Sequence, residues 1–370
     1  YPLPNAPGNP DGSNNYFTSN KALEDYWTTI GRVDHAFSDK HRMFVRFHRD
    51  YWQEDKNRLF PGPATGIILN RINRGIALDD VYVLSPAFLI NVRYGLTAQE
   101  FPEKRVSRGF DLASLGFGPT VVNAVDPTLA TFPRIAVSPW STLSAWESGD
   151  GTTTSLIHNP AVALTWLKGK HNMRFGTDMR FIREFRNRFP ADSSPDLSFD
   201  STYTKESNAS ADPQLGGQIT SFLLGVPGAA ANMTRTASYA EKNAIYGFYF
   251  QDDFKISRKL TINLGVRYEY ETPMSERYNR AVYDFAYGQM NPIQDAARVA
   301  YARNPIAEIP PDQFRVLGGL TFAGVNGNSS SLWNADKNNI MPRIGLAYQI
   351  TPKTVIRAGY GMFYAPMETL

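Results

Sequence analysis

The sequence lacks several features that would assign it to a common class of protein. Its 370 residues include no cysteine, which fits a compartment where a free thiol would be oxidised but does not by itself define one. No run of 18 apolar residues occurs, so a transmembrane helix is excluded. Basic and acidic residues nearly balance, at 38 against 35, and no basic block is present. We therefore do not expect a nucleic-acid partner.

Motifs of catalysis are absent as well. The sequence contains no G-x-S-x-G nucleophile motif, no P-loop and no dinucleotide-binding fingerprint. The pairs Asp79-Asp80 and Asp252-Asp253 are adjacent on predicted strands, so the two carboxylates of each pair point to opposite faces. The histidines are not spaced with carboxylates as metal ligands are, and we expect them at turns or interfaces: His35, His41, His48, His158 and His171. We predict no enzyme activity, no metal site and no cofactor.

What the sequence does contain is a period-two pattern rich in aromatic residues. Phe, Trp and Tyr make up 13% of the chain, yet its mean hydropathy is only −0.35. In the segment 260–271, LTINLGVRYEYE, all six even positions are apolar or aromatic, and no odd position is. This alternation predicts a strand with one apolar and one polar face. A transmembrane barrel strand has this pattern and needs only about 9–11 residues.

Five predicted hairpins repeat the pattern, with strands at 26–37 and 42–51, 75–84 and 88–101, 155–167 and 172–189, 244–255 and 260–271, and 339–350 and 354–365. Turns of about two to four residues join the strands of each pair. Long segments rich in Pro, Gly, Ser, Asn and Asp separate the pairs, at about 52–74, 102–154, 190–243 and 273–338. The last of these segments holds one predicted helix, at 293–303, with Asn291 as N-cap and Pro292 at its first position.

Short turns on one side and long loops on the other are typical of outer-membrane barrels. We therefore predict an all-β fold, an antiparallel transmembrane β-barrel segment of about ten strands and five hairpins with long extracellular loops. Residues 1–370 would form a single partial barrel domain. Both ends are expected to lie inside a longer polypeptide, because the chain begins without an initiator Met or signal peptide and stops just after a predicted strand.

In such a barrel the apolar face meets lipid and the polar face meets the lumen. The residues predicted to face the lumen are Arg93, Arg174, Arg180, Arg267, Glu269, Arg343 and Arg357. Tyr268, Tyr270, Tyr360 and Tyr364 lie far from the turns and are expected in an outer aromatic girdle. Glycines recur on the polar face, at Gly95, Gly176, Gly265, Gly345 and Gly359. Since glycine weakens a strand, they indicate close approach of another group or relief of crowding.

The segment at 246–273, YGFYFQDDFKISRKLTINLGVRYEYETP, resembles the aromatic hairpin of TonB-dependent outer-membrane receptors, most closely of the Oar-like subgroup. Further segments that fit this subgroup are YPLPN at the start, IGRVDHAFSDKHRMFVRF at 30–47, QITSFLLGVPG at 218–228 and NIMPRIGLAYQITPKTVIRAGYGMFYAP at 339–366. The resemblance implies a 22-stranded barrel filled by an N-terminal plug and energised through TonB, ExbB and ExbD. On this resemblance, we expect the plug, the TonB box, the first few barrel strands and the closing strands to lie outside this sequence.

The resemblance implies a receptor in the outer membrane of a Gram-negative-type bacterium. It would contact outer-membrane lipids and take up, or export, a large extracellular ligand that the sequence does not identify. Trp140, Trp146 and Trp333 are loop candidates for ligand contact, although loop tryptophans serve at least as often as packing anchors. The alternatives are a passive porin or adhesion barrel, and a soluble all-β carbohydrate-binding protein. An upstream plug would favour the receptor, and folding without detergent would favour the soluble protein.

Overall fold

The computed structural model describes residues 1–10, 12–144, 150–189, 194–207, 209–211, 216–234 and 238–367. Its strands are β1 (Leu23–Ser38), β2 (His41–Lys56), β3 (Ile67–Ser85), β4 (Phe88–Arg105), β5 (Arg134–Val137), β6 (Asp150–Lys168), β7 (His171–Phe189), β8 (Asp196–Phe199), β9 (Ala230–Asn232), β10 (Tyr239–Lys255), β11 (Leu260–Glu271), β12 (Ser275–Glu276), β13 (Val282–Phe285), β14 (Leu320–Phe322), β15 (Ile340–Thr351) and β16 (Thr354–Gly361). The helices are short: a 3-10 helix at Leu112–Leu115, and α1 (Pro119–Val122), α2 (Gly217–Leu224) and α3 (Gln294–Tyr301). Among the described residues, no helix is long and apolar enough to cross a membrane.

Ten long strands are hydrogen-bonded side by side in the order β1-β2-β3-β4-β6-β7-β10-β11-β15-β16. Each long strand is therefore next to the long strand that precedes it along the chain. The pairs β1–β2, β10–β11, β11–β15 and β15–β16 are antiparallel. Two residues separate the strands of four hairpins, and four residues, 256–259, separate β10 from β11. The predicted antiparallel fold with ten strands in five hairpins is confirmed.

Most of the strands extend further into the loops than the sequence pattern predicts. β2 reaches Lys56 and β3 begins at Ile67, so the first long loop spans only 57–66 instead of about 52–74. The strand ends carry charged residues on both faces, such as Glu54, Asp55 and Lys56. Backbone pairing continues there although the alternation that marks a strand in the sequence has stopped.

The long loops contain secondary structure that the sequence pattern does not predict. Strands β5, β8 and β9 form a small sheet, and β13 pairs with β14. The predicted helix of the last loop is present, but it is shorter, and its N-cap position is occupied by Ile293 rather than Asn291. The Asn291 side chain instead accepts a hydrogen bond from the Ile293 N–H group at 3.1 Å, in the turn that precedes the helix.

The chain forms two compact units by its internal contacts. The first comprises residues 1–80, 93–157 and 185–238, and the second comprises 81–92, 158–184 and 239–370. A loop core in the first unit consists of buried Leu112, Val125 and Ala130, against which Phe110 and Met233 pack. In the second unit Ile245, Met274 and Met341 are buried.

Candidate functional site: a wall with two opposite faces

The apolar face of the sheet is exposed. In β15, Ile344 and Ile350 are 54% and 45% exposed, whereas Gly345 and Gln349 on the other face are partly covered. A soluble protein buries such a stripe, and contiguous exposed apolar surface marks contact with a partner or a membrane. Apolar and polar residues therefore alternate between the two faces of the strand as the sequence predicts, and the apolar side chains are exposed.

The strand register joins these stripes into one continuous apolar face. Between β10 and β11, Phe250 is paired with Val266. Between β11 and β15, Leu264 is paired with Ile344, which is in turn paired with Tyr360 of β16. Paired residues lie on the same side of a sheet, so the four strands present one apolar surface and one polar surface.

Aromatic rings form a row at the loop end of the apolar face. Phe181 of β7 meets Tyr246 of β10 edge to face, with ring centroids 5.8 Å apart, and Tyr246 stacks on Tyr270 of β11 at 6.3 Å. In the first unit, Trp27 and Tyr51 stack at 5.7 Å near the loop end of β1 and β2. Such amphipathic rings favour the headgroup level of a membrane, where outer-membrane barrels carry their aromatic girdles.

The other residues predicted in the girdle lie near or beyond the loop ends of their strands. The Tyr268 hydroxyl donates a hydrogen bond to the Lys337 carbonyl at 3.2 Å. Tyr360 is 64% exposed near the end of β16, and Tyr364 lies beyond the end of that strand.

A network of charges lies on the polar face. The Arg267 guanidinium donates two hydrogen bonds to the Asp178 carboxylate, at 2.7 and 3.0 Å, and its Nε–H group donates to Glu269 at 2.7 Å. Asp178 lies in β7, two strands away from Arg267 in β11, so the arginine side chain crosses the intervening strand β10. This two-pronged geometry is the strong form of a charge-assisted hydrogen bond. It ties three strands together on their polar side.

Gly247 explains how this crossing is possible. It lies in β10 opposite Glu269, and a Cβ atom at this position would stand 2.5 Å from the Arg267 Nη2 atom. At Gly75 a Cβ atom would overlap the His48 ring, and at Gly176 it would overlap the Val162 carbonyl oxygen of β6. Of these three glycines, only Gly176 is among those predicted from the sequence, and there the close approach is made by the backbone of β6. At Gly75 and Gly247 it is made by side chains of neighbouring strands.

The remaining residues predicted to face the lumen are placed on this polar side by strand register or by alternation along a strand. Register places Arg343 next to Gly265 and Arg357 next to Ala347, on the side of Arg267. Alternation along β7 places Arg174 and Arg180 on the side of Asp178, and Arg93 occupies a polar position of β4. Among the seven predicted residues, the hydrogen bonds described above join only Arg267 and Glu269. The Arg343 guanidinium lies over the Phe363 ring at 4.8 Å. That the polar face lines a lumen remains a prediction.

Two histidines form a repeated arrangement that the sequence pattern does not predict. His41 is the first residue of β2, and its Nε2 atom lies 2.8 Å from Asp80 Oδ1 in β3. His171 is the first residue of β7, and its Nδ1 atom lies 2.6 Å from Asp252 Oδ2 in β10. Each imidazole also stacks on a phenylalanine ring, with centroids 4.5 and 4.2 Å apart. The signal in the sequence is a Lys-His pair after a turn together with an Asp-Asp pair in the next hairpin.

These histidine pairs agree with the expected place of the histidines at turns and do not form a metal site. Each imidazole meets one carboxylate, and the described part of the chain holds no group of three or more His, Cys, Asp or Glu residues that could bind a metal ion. Asp253, next to Asp252, accepts a hydrogen bond from Asn263 on the polar face. The two carboxylates therefore point to opposite faces, as predicted.

The two loop tryptophans that the structure describes, Trp140 and Trp333, form no defined ligand site. Trp140 and Trp333 are half-buried, and the Trp140 backbone N–H group donates to the Val137 carbonyl at 2.8 Å. Trp146 lies outside the described residues. The proposed ligand contacts of all three remain predictions.

Glu276 holds the start of the last long loop. The residue is only 5% exposed, and its carboxylate accepts hydrogen bonds from the backbone N–H groups of Ala240, Tyr278 and Arg280, at 3.0, 2.8 and 2.8 Å. Burial alone would raise the pKa of Glu276, but the three donors stabilise the charged form more strongly and leave the pKa below its usual value.

Comparisons with known proteins identify the fold. A family model described as "Outer membrane beta barrel domain" matches residues 1–370. A comparison with curated proteins gives no match. Similar solved structures include the alcaligin outer membrane receptor FauA from Bordetella pertussis, with 10% identity, a TM-score of 0.47 and coverage of 91% of this chain and 35% of that chain.

Two further structures have comparable similarity. The outer membrane transporter YddB from Escherichia coli has 12% identity, a TM-score of 0.43 and coverage of 92% of this chain and 40% of that chain. The ferric-catecholate import receptor Fiu from E. coli K12, in its open form, has 11% identity, a TM-score of 0.42 and coverage of 94% and 48%. The chain spans less than half the length of each of these three structures.

Proposed function

Because the chain belongs to the family of outer membrane β-barrel domains, we propose that it forms part of the wall of a TonB-dependent receptor. The protein is located in the outer membrane. The receptor would take up, or export, a large ligand, with energy delivered through TonB, ExbB and ExbD. Support for this proposal comes from the order and spacing of the Oar-like segments along the whole chain, and the subgroup itself is part of the proposal.

The observation that carries the proposal is the pairing of opposite faces in one sheet. One face exposes apolar side chains and an aromatic row, as contact with lipid requires. The other face carries ordered charges, with Arg267 bound to both Asp178 and Glu269. A fixed charged surface of this kind suits a lumen that is filled by a polar protein domain. The long loops would form the outer ligand-binding surface, with Trp140 and Trp333 as candidate contacts.

A photocrosslinking experiment on the full-length protein in its native membrane tests this proposal. A benzoylphenylalanine would replace Arg357 on the polar face or, in a matched variant, Ile356 on the apolar face, which is 51% exposed. A plugged receptor should give a crosslink within the same polypeptide from position 357 and crosslinks to lipid from position 356. Loss of the tonB gene should abolish ligand-dependent uptake without changing these crosslinks.

The alternative functions predict different results. A passive porin has water beside position 357, so it should give no internal crosslink there and should conduct ions steadily in a planar bilayer. A soluble carbohydrate-binding protein would remain folded without detergent. The exposed apolar face argues against that last alternative, because water-exposed apolar patches of this extent promote aggregation.

A further inference from the structure

A pocket lies just beyond the aromatic row of β7, β10 and β11. Its volume is about 390 Å³, and it is lined by the loop-side ends of these strands and by the segment at 330–331. This volume is in the range of sites that hold a small molecule or a headgroup. The polar side chains around it are Arg183, Lys242, Asn243, Thr272, Ser275, Ser330 and Ser331.

The lining of the pocket is cationic and rich in hydroxyl groups. Arg183 and Lys242 are both exposed, and no carboxylate is among the lining residues. Within the described parts of the chain, neither of these two cations forms an ion pair or a side-chain hydrogen bond. The Thr272 hydroxyl accepts a hydrogen bond from the Ala244 N–H group at 2.8 Å and retains its own proton for donation. The pocket therefore offers two positive charges and several O–H donors, a set that matches a phosphate group.

The two cations lie on the lipid-facing side of the sheet. Arg183 follows Phe181 by two positions in β7, and Lys242 precedes Tyr246 by four positions in β10. Residues an even number of positions apart on a strand share a face, so both cations lie on the side of the aromatic row. Register places Lys242 directly opposite Ser275 of β12, so the Ser275 side chain lies on the same side of the sheet as Lys242.

We infer that this pocket binds the phosphate-bearing headgroup of a lipid in the outer leaflet. The aromatic row marks the headgroup level, and the cations stand immediately beyond it on the outer surface of the wall. Apolar residues below the row, including Phe248 at 47% exposed and Phe250 at 43%, provide the surface for acyl chains. A soluble phosphate would use the same cations but would gain nothing from the apolar surface.

The test measures lipid binding to the full-length protein extracted from its membrane in a neutral detergent. The probe is diphosphoryl lipid A, titrated against the protein and followed by native mass spectrometry. Arg183→Gln and Lys242→Gln should each weaken lipid A binding about tenfold, because each removes a charge-assisted hydrogen bond. The matched control, Arg357→Gln, removes one positive charge from the opposite face and should leave binding unchanged.

Several possible results of this experiment would contradict the inference. Unchanged binding by both pocket variants would overturn the inference, and so would an equal loss in Arg357→Gln, which would indicate bulk charge attraction. Inorganic phosphate at millimolar concentration should displace little lipid A. Complete displacement would identify a site for soluble anions and overturn the assignment to a headgroup. Resistance of the unboiled protein to unfolding in SDS electrophoresis shows that each variant is folded.

Discussion

Replacing Gly247 by alanine should destabilise the sheet, although alanine is the better strand residue. Glycine loses more conformational freedom than alanine on folding, which by itself costs roughly 0.5–1 kcal/mol. Here the added Cβ atom would stand 2.5 Å from Arg267 Nη2 and 3.1 Å from the Asp178 carbonyl oxygen. The guanidinium would have to move by about 1 Å to restore a normal contact distance.

A displacement of that size breaks the bond between Arg267 and Asp178. Its two N–O distances, 2.7 and 3.0 Å, would exceed hydrogen-bond range. Hydrogen bonds to charged groups contribute about 1.5–3 kcal/mol each, and partial exposure of these side chains lowers that figure. We expect Gly247→Ala to lower the free energy of unfolding by about 1–3 kcal/mol, net of the gain in propensity.

The assay is urea unfolding of the folded protein in lipid vesicles, followed by tryptophan fluorescence. In a protein that already carries Arg267→Ala, the same glycine substitution should be neutral or stabilising, because the overlying guanidinium is gone. Gly265→Ala is the matched control, since a Cβ atom there has no neighbour closer than 3.5 Å. An equal loss from Gly247→Ala with and without Arg267 would refute the explanation.

Three further predictions concern other parts of the wall and its loops. Phe250→Arg, on the apolar face, should lower the free energy of unfolding in vesicles by up to about 2–4 kcal/mol, whereas Gln251→Arg, on the polar face, should be tolerated. His171→Ala should cost about 1–3 kcal/mol in the same assay, because it leaves the nearly buried Asp252 carboxylate without its partner, and adding Asp252→Asn should restore part of the loss. Glu276 has a lowered pKa, so its stabilising effect is present above the unfolded-state pKa and is lost as pH falls through the folded-state pKa. Acid should therefore speed proteolysis of the loop after residue 276, and Glu276→Gln should be cleaved faster at neutral pH and show a weaker pH dependence.

The strands and their partners could be predicted from the sequence because one physical requirement governs them. A strand between lipid and a polar interior must alternate, and a short turn must lead directly into its antiparallel neighbour. Strand ends could not be predicted so well, because beyond the membrane both faces become polar, as at Glu54 and Asp55. The loop sheet β5-β8-β9 was missed for another reason. Its strands have only three or four residues, too few to display a period.

The contacts on the polar face could likewise be predicted from the sequence only in part. Alternation alone was enough to predict that Arg267 and Glu269 share a face. The bond from Arg267 to Asp178 was not predictable, because it skips a strand and depends on the register of β7, β10 and β11. The histidine pairs were missed because His171 and Asp252 are 81 residues apart and meet only through the order of the strands.

Gly247 and the charged residues beside it on the polar face depend on one another. A long side chain can lie flat against a sheet only where the neighbouring residue lacks a Cβ atom, and Gly247 provides that space for Arg267. The arginine then satisfies its charge within the wall, on Asp178 and Glu269, and does not need a partner from outside the sheet. A substitution of the glycine and a substitution of the arginine thus act through the same contact, so their effects should not add. Replacing either Gly247 or Arg267 leaves Asp178 without its arginine. This shared loss explains why glycine, a residue that weakens strands, occupies the middle of β10.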